Sequence, residues 1–214
     1  MINKLILFFF LIFNSIILNS YSNDQINFDV TEIEILDGGN KIIGKNRGTI
    51  TTNNGVKIEA DEFKFDKIKN ILQAQGDVKI EDKPNNYKLS ALSIIYIKNK
   101  EIIEIKGKAE ALVETNFKFE TKDMTIRRDD MIISSNLGAT ILDNINLIRY
   151  EIGKFSYSLR DQVLKGEQIL INTKYNQPFS DKLFFKSAVF NIKDRSYIAQ
   201  DINIDFKKDL FGNK

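Results

Sequence analysis

The feature that most constrains this chain is an alternation of apolar and polar residues that changes parity at near-regular intervals. In "GVKIEADEFKFD", residues 55–66, the apolar positions run Val56, Ile58, Ala60 and then skip a beat to Phe63 and Phe65. Successive side chains of a strand point to opposite faces, so one straight strand keeps one parity. A strand whose parity switches is bent or bulged there, and each segment still turns its apolar side to the same interior. Small residues such as Ala60 and Ala91 at the switch let two layers approach closely.

The corner recurs along the chain. Counting from the first apolar residue, positions 0, 2, 4, 7 and 9 are Ile26, Phe28, Val30, Ile33 and Ile35, and then Val56, Ile58, Ala60, Phe63 and Phe65. They recur as Tyr87, Leu89, Ala91, Ile94 and Tyr96, as Phe117, Phe119, Thr121, Met124 and Ile126, and as Ile148, Tyr150, Ile152, Phe155 and Tyr157. A looser copy is Leu183, Phe185, Ser187, Phe190 and Ile192. The starts lie 30, 31, 30, 31 and 35 residues apart, which marks an internal repeat.

Each corner is followed by a second half-unit. It reads Leu72, Ala74, Gly76, Val78 and Ile80 in the second unit, and Ile103, Ile105, Gly107, Ala109 and Ala111 in the third. The fourth has Ile133, Ser135, Leu137, Ala139 and Ile141. Polar connections such as "DKIKN", "KNKE" and "RRDD" between the halves read as hairpin turns. Helical periodicity is missing from the chain after residue 22. The pattern predicts an all-β, elongated, twisted antiparallel β-jellyroll built from about six strand-pair repeats of ~30 residues. A parallel β-solenoid with a coil of similar length is the alternative.

Composition narrows the chemistry. The chain of 214 residues has 43% apolar and 28% charged residues, which suits a folded domain. Its net charge of +2 creates no strong field, and its aromatics fall on interior positions rather than on a basic stripe, so no nucleic-acid partner is expected. Neither cysteine nor histidine occurs. The fold must therefore be held by burial and backbone pairing. The usual Ser-His-Asp and Cys-His mechanisms are excluded, as are the commonest zinc ligands. Asp129-Asp130 and Glu59-x-Asp61-Glu62 are the only carboxylate groupings worth weighing for catalysis or a cation, and they read better as turn and strand-face charges. No metal, cofactor or catalytic residue is expected.

At the N-terminus, Lys4 precedes "LILFFFLIFNSIIL" and small residues at Ser20 and Ser22, the pattern of a secretory signal cleaved after Ser22. The apolar run is interrupted by Asn14 and Ser15 and is short for a membrane anchor, the alternative reading. Removing Lys4 leaves a mature charge of 30 − 29 = +1. The expected organisation is a signal peptide at 1–22, a β-jellyroll at 23–206 and a tail or lead-in to a further domain at 207–214.

The stretch "VKIEADEFKFDKIKNILQAQGDVKIED" resembles the repeat of the OstA-like (organic solvent tolerance) family of lipopolysaccharide-transport proteins. The resemblance is carried by Ala60-Asp61 and Ala74-x-Gly76-Asp77-Val78, and more weakly by Ala91 and Gly107. Thr121-Lys122 and Gly153-Lys154 depart from it. "YIAQDINIDFKKDLFGNK" is similar to the segment joining jellyroll to barrel in the family's outer-membrane branch, the LptD type; the free-standing LptA type is the other possible setting. The resemblance implies a non-enzymatic protein of the periplasm, associated with the outer membrane, that shields the acyl chains of lipopolysaccharide (lipid A) in an apolar groove. The implied groove lining is Ile58, Phe63, Phe65, Leu89, Ile95, Phe117, Phe119, Phe155 and Phe185. Other Lpt jellyroll proteins joined by edge-strand pairing and an outer-membrane lipoprotein are the implied partners. From the residues themselves, three readings stay open: a lipid groove, a secreted structural or adhesive β-repeat whose interior is simply core, and a carbohydrate-binding or glycan-cleaving sandwich.

Overall fold

Why the alternation switches is visible at the middle of almost every strand. The structure, a computed structural model, describes residues 26–177 and 180–205. The expected signal peptide and C-terminal tail lie outside the described residues. Among the described residues, fourteen strands form a single sheet. They are β1 (Ile26–Leu36), β2 (Lys41–Thr52), β3 (Val56–Ala60), β4 (Glu62–Asp66), β5 (Ile71–Asp82), β6 (Tyr87–Ile97) and β7 (Ile102–Val113). The others are β8 (Phe117–Arg127), β9 (Ile132–Ser135), β10 (Ala139–Asp143), β11 (Ile148–Ser158), β12 (Val163–Thr173), β13 (Lys182–Asn191) and β14 (Ser196–Asp205). Pairing follows chain order and is antiparallel throughout, which excludes the solenoid alternative.

Each long strand is bent near its centre. Register shifts occur between Gln75 and Val78 on β5, between Ala91 and Ile94 on β6, and between Lys106 and Ala109 on β7. The β3–β4 and β9–β10 pairs are long strands broken at the same place. The bend costs the two strand directions different numbers of residues. On β6 two residues separate the inward Ala91 and Ile94, whereas on the paired β5 three separate Ala74 from Val78. The up strand therefore changes parity and the down strand keeps it.

The motif residues around Ala60 build this bend. Ala60 faces inward, fully buried. The Asp61 N–H donates to the carbonyls of Gln75 and Gly76, and Arg47 places Nη1 2.9 Å from Asp61 and Nη2 3.2 Å from Asp77. Gly76 has φ of 80°, and a Cβ there would lie 2.4 Å from Asp61 Oδ2, so both conformation and space call for glycine. In the fourth unit Thr121 and Asp123 take over the corner. The Asp123 N–H donates to Thr121 Oγ1 at 3.1 Å, and the Ser135 hydroxyl donates to the Asp123 carboxylate.

Folding every strand at its middle lays one half of the sheet over the other. Layer one ends in the turns 52–56, 82–87, 113–117, 143–148 and 173–182; layer two ends in 36–41, 66–71, 97–102, 127–132, 158–163 and 191–196. Aromatic contacts cross between them: Phe119 to Phe155 and to Tyr157 at 5.6 Å, Phe28 to Phe65 at 6.3 Å, and Tyr150 to Phe190 at 5.9 Å between ring centroids. The inward residues of both layers form one continuous apolar cluster.

Two expectations are corrected here. In the sixth unit the inward set is Leu183, Phe185, Ala188 and Phe190, with Ser187 turned away. That unit therefore starts at residue 181, 181 − 148 = 33 residues after its predecessor rather than 35. Left-handed tip residues repeat the same offset: Asn70, Glu101, Met131, Gln162 and Arg195 have positive φ. Leu137 is 66% exposed, because the middle residue of the down-strand bend turns outward and the left-handed glycine of this unit is Gly138.

Candidate functional site

Inward alternation continues past the apolar core to the rims of the layers, and the residue found there differs along the molecule. On β5 the inward series Val78, Ile80 ends at Asp82; on β8 the series Met124, Ile126 runs on to Arg128. These two rim residues meet across the interior. Arg128 Nε lies 2.6 Å from Asp82 Oδ2, with side chains 5% and 0% exposed. A second guanidinium nitrogen bonds Glu101, and the third approaches the Asn54 carbonyl at 3.4 Å. Asn54 in turn donates to Glu101 at 3.0 Å, and the Tyr96 hydroxyl donates to the same carboxylate at 2.8 Å. Asp82 and Asn54 belong to layer one, and Arg128, Glu101 and Tyr96 to layer two, so the cluster ties the rims together.

Burial lowers the pKa of Arg128, but the hydrogen bond and charge of Asp82 outweigh it and leave the guanidinium firmly protonated. Burial pushes the Tyr96 phenol well up, against hydrogen bonding from Asn54. A second bridge stands further along the same seam, where Gln162 of layer two donates to both Glu114 oxygens of layer one at 3.1 and 3.0 Å. Within the stretch closed by these bridges, the hydroxyls of Tyr87 and Tyr157 are buried without a well-formed hydrogen bond.

The rim pattern changes at the C-terminal end. One tip backbone bond repeats along layer two: Lys67 N–H to Asn40 O, Lys98 N–H to Asn70 O, Arg128 N–H to Glu101 O, Leu159 N–H to Met131 O, and Ile192 N–H to Gln162 O. The side chain at this position is thus a cation at Lys67, Lys98 and Arg128 and an aliphatic at Leu159 and Ile192. Asp143, 2% exposed, ends its strand as Asp82 does and holds its own turn through Ile145 and Asn146 N–H, both at 3.0 Å. No cation among the described residues pairs with it. Here the layers stand apart over a cleft of about 360 Å³. Layer one contributes Ile148, Tyr150, Ile171, Leu183 and Phe185; layer two contributes Phe190, Ile192 and Tyr197; Asp143, Asn146 and Arg195 stand at its rim. Four rings make its floor, with Phe185 5.8 Å from Phe190 and 5.6 Å from Tyr197. Burial, with Asp143 adding its charge, pushes the Tyr150 phenol up to about 12.

Of the expected lining residues, Phe185 lies in this cleft. Ile58, Phe63, Phe65, Leu89, Phe117, Phe119 and Phe155 are buried inside the closed stretch, packed in the apolar cluster. Ile95 is a correction: it alternates with the buried Ile94 and Tyr96 and pairs with Gln73 and Glu104, on the outer face. Sequence reasoning placed Tyr150 and Phe190 on the inward face but could not see them and Tyr197 as a cleft, because closure of the rims depends on residues far apart in sequence. It missed the rim cluster although a signal existed, since a charged residue at an inward position is itself conspicuous. The weighed carboxylates form surface pairs instead: Glu59 with Lys57, Glu62 with Lys64, Asp61 with Arg47 and Asp130 with Arg127.

No protein-family model matches the chain, and no curated protein matches it in sequence. Among solved structures it is similar to LptH of Pseudomonas aeruginosa, described as the LptA homologous periplasmic component of the conserved lipopolysaccharide transport device. The TM-score is 0.44 at 17% identity, over 49% of this chain and 76% of that one.

Proposed function

We propose that the chain is a non-enzymatic periplasmic carrier that shields lipid acyl chains between its layers and serves lipopolysaccharide transport toward the outer membrane. The observation that carries this reading is the open, aromatic-floored cleft at the end of an otherwise packed interior. Each methylene removed from water there contributes about 0.8 kcal/mol, so a modest length of acyl chain offsets much of the cost of leaving a bilayer. The Ala60-Asp61 and Ala74-x-Gly76-Asp77-Val78 motif, shared with the OstA-like pattern, supports lipid A as the source of those chains.

Partner docking follows from the two edge strands. Among the described residues, β1 and β14 each leave one backbone edge unpaired in the sheet order. Inward-facing Ile33, Ile35, Ile202 and Ile204 beside those edges are 41–62% exposed. A further jellyroll added at either edge would continue both the hydrogen-bond ladder and the apolar stripe. An outer-membrane lipoprotein is the partner expected where the carrier meets its destination. An LptD-like outer-membrane protein and a free-standing LptA-like bridge are the two settings in which such a carrier works.

The test is photo-crosslinking from a benzophenone amino acid at Tyr197, which is half exposed and tolerates the larger ring. Purified lipopolysaccharide should label this position, and excess unlabelled lipopolysaccharide should compete. Labelling no greater than at the exposed outer-face residue Lys165 would sink the proposal. The packed stretch from Ile58 to Phe155 favours a second reading, a secreted structural β-repeat with a filled core. That reading gains if the cleft takes no lipid.

A further inference from the structure

The buried charges at the rim are not needed simply to seal the layers. At the same tip position the chain uses Leu159 and Ile192 further along, so an aliphatic seam is within its means. Replacing a buried ion pair by well-packed apolar residues is often neutral or stabilising, which makes Arg128 and Asp82 a poor choice for a permanent seam. They are a good choice for one that opens. When two apolar rims part, their surface meets water with no compensation. When Arg128, Asp82 and Glu101 part, each recovers hydration that offsets the lost attraction.

A second observation concerns the space the cluster closes. The Tyr87 and Tyr157 hydroxyls, on residues 2% exposed, lie in the closed stretch, Tyr157 without a hydrogen-bond partner and Tyr87 with only a poorly formed one to Asp82. Tyr87 stands beside Asp82, whose oxygens are occupied by Arg128 and by Asn85 at 3.1 and 2.9 Å. An unpaired buried hydroxyl works against the state that buries it. Parting the layers relieves both tyrosines, as does admitting a molecule with polar atoms.

We propose that the Arg128–Asp82–Glu101–Asn54 cluster is a releasable clamp, which lets the layers part so that acyl chains held in the open cleft can pass into the closed stretch. The inference rests on the lipid-carrier reading and adds to it a barrier at a defined place. The Gln162–Glu114 bridge, nearer the cleft, is the weaker of the two closures, since a neutral amide replaces the guanidinium.

The experiment compares two labelling positions in the full chain. One is the benzophenone at Tyr197 in the cleft. The other is photo-methionine at Met124, nearly isosteric and 1% exposed inside the closed stretch, in a Met131→Leu background. Because the chain has no cysteine, Asn54→Cys with Glu101→Cys supplies a unique pair, joined by a short cleavable bis-maleimide to hold the rims shut. The triple variant Arg128→Met, Asp82→Asn, Glu101→Gln releases the clamp.

With purified lipopolysaccharide as the probe, labelling at Met124 should fall at least about tenfold in the cross-linked protein and recover on cleavage of the linker, while labelling at Tyr197 holds. In the triple variant it should rise by a similar factor. Should the triple variant fail to fold, the cross-linked protein still decides. Equal Met124 labelling with rims locked and free overturns the clamp, as does no Met124 labelling in any form while Tyr197 is labelled. Loss of labelling at Tyr197 in every form overturns the carrier reading itself.

Discussion

The two ends of the interior use one strand pattern and reach opposite results. From the second to the fifth unit the inward residues close on one another, and the rims are joined by Arg128 with Asp82 and by Gln162 with Glu114. At the sixth unit the same alternation leaves a cleft lined by the buried rings of Tyr150, Phe185 and Phe190 and by the exposed Tyr197, with Ile192 where Arg128 stood. The difference teaches that the repeat sets which face is apolar, while single rim residues decide whether that face is covered.

Cutting the rim cation at each end gives the largest expected contrast. Arg128→Met strands Asp82, fully buried, and Glu101, mostly buried, and should cost about 3–5 kcal/mol in urea unfolding. Arg195→Met, at the corresponding tip of the open end, removes a side chain that makes no hydrogen bond or ion pair with the described residues and should stay within about 0.5 kcal/mol. Adding Asp82→Asn to Arg128→Met should restore much of the loss, since the uncompensated charge goes. Similar costs for the two arginines would erase the distinction between clamped and open rims.

Truncating rings probes the interiors themselves. Phe119→Ala removes a 1% exposed side chain that meets Phe155 and Tyr157, and about 3–4 kcal/mol should be lost. Tyr197→Ala, half exposed over the cleft, should lose about 1 kcal/mol but most of the lipid labelling at a neighbouring probe. Thermal unfolding with and without lipid separates the two quantities.

The part of this contrast that could be read from residues alone has a physical boundary. Parity fixed the strands, the corner and the face of Ile58, Phe63 and Phe119, because a pleated strand offers only two faces. It could not say whether that face would meet a partner layer or open space, since rim closure joins residues 46 and 48 apart in sequence, as Asp82 with Arg128 and Glu114 with Gln162. Ile95 misled because an apolar side chain on the outer face breaks the alternation without breaking the strand. The tips were opaque as well: Glu101, Met131 and Gln162 take left-handed backbone that their residue types do not signal.

Alkaline titration reads the same contrast through the tyrosines. Burial, then the Asp143 charge, raises Tyr150 to about 12 in the open end; in the closed stretch burial raises Tyr96 and Tyr157 further, and Tyr87 upward as well. A raised phenol pKa means that the fold favours the neutral form. Its stabilisation is whole below the unfolded value near 10 and is lost as pH climbs through about 12. For Tyr150 this amounts to roughly 3 kcal/mol. Ring-labelled NMR should show Tyr150, assigned by Tyr150→Phe, ionising before global unfolding, and the other three only with it. Simultaneous ionisation of all four would mean that the two ends open as one.

The bends offer the smallest and sharpest comparison. At Gly76, in the closed stretch, an added Cβ meets Asp61 Cβ at 2.8 Å, and φ is 80°. Asp61 cannot withdraw, because its N–H is held by the Gln75 and Gly76 carbonyls and its carboxylate by Arg47. Gly76→Ala should therefore cost about 1–2 kcal/mol in left-handed backbone and crowding. Gly153 sits at the corner leading to the open end, with φ outside the left-handed region. A Cβ there meets Gln168 Oε1 at 2.6 Å, the far end of an exposed side chain that can swing away, and Gln168 Cβ at 3.1 Å, a contact that a shift of a few tenths of an ångström relieves. Gly153→Ala should be neutral within about 0.5 kcal/mol, as the entropy removed from the unfolded chain offsets the displaced glutamine. Equal losses at the two glycines would show that both bends are equally rigid, and that the open end owes nothing to a looser corner.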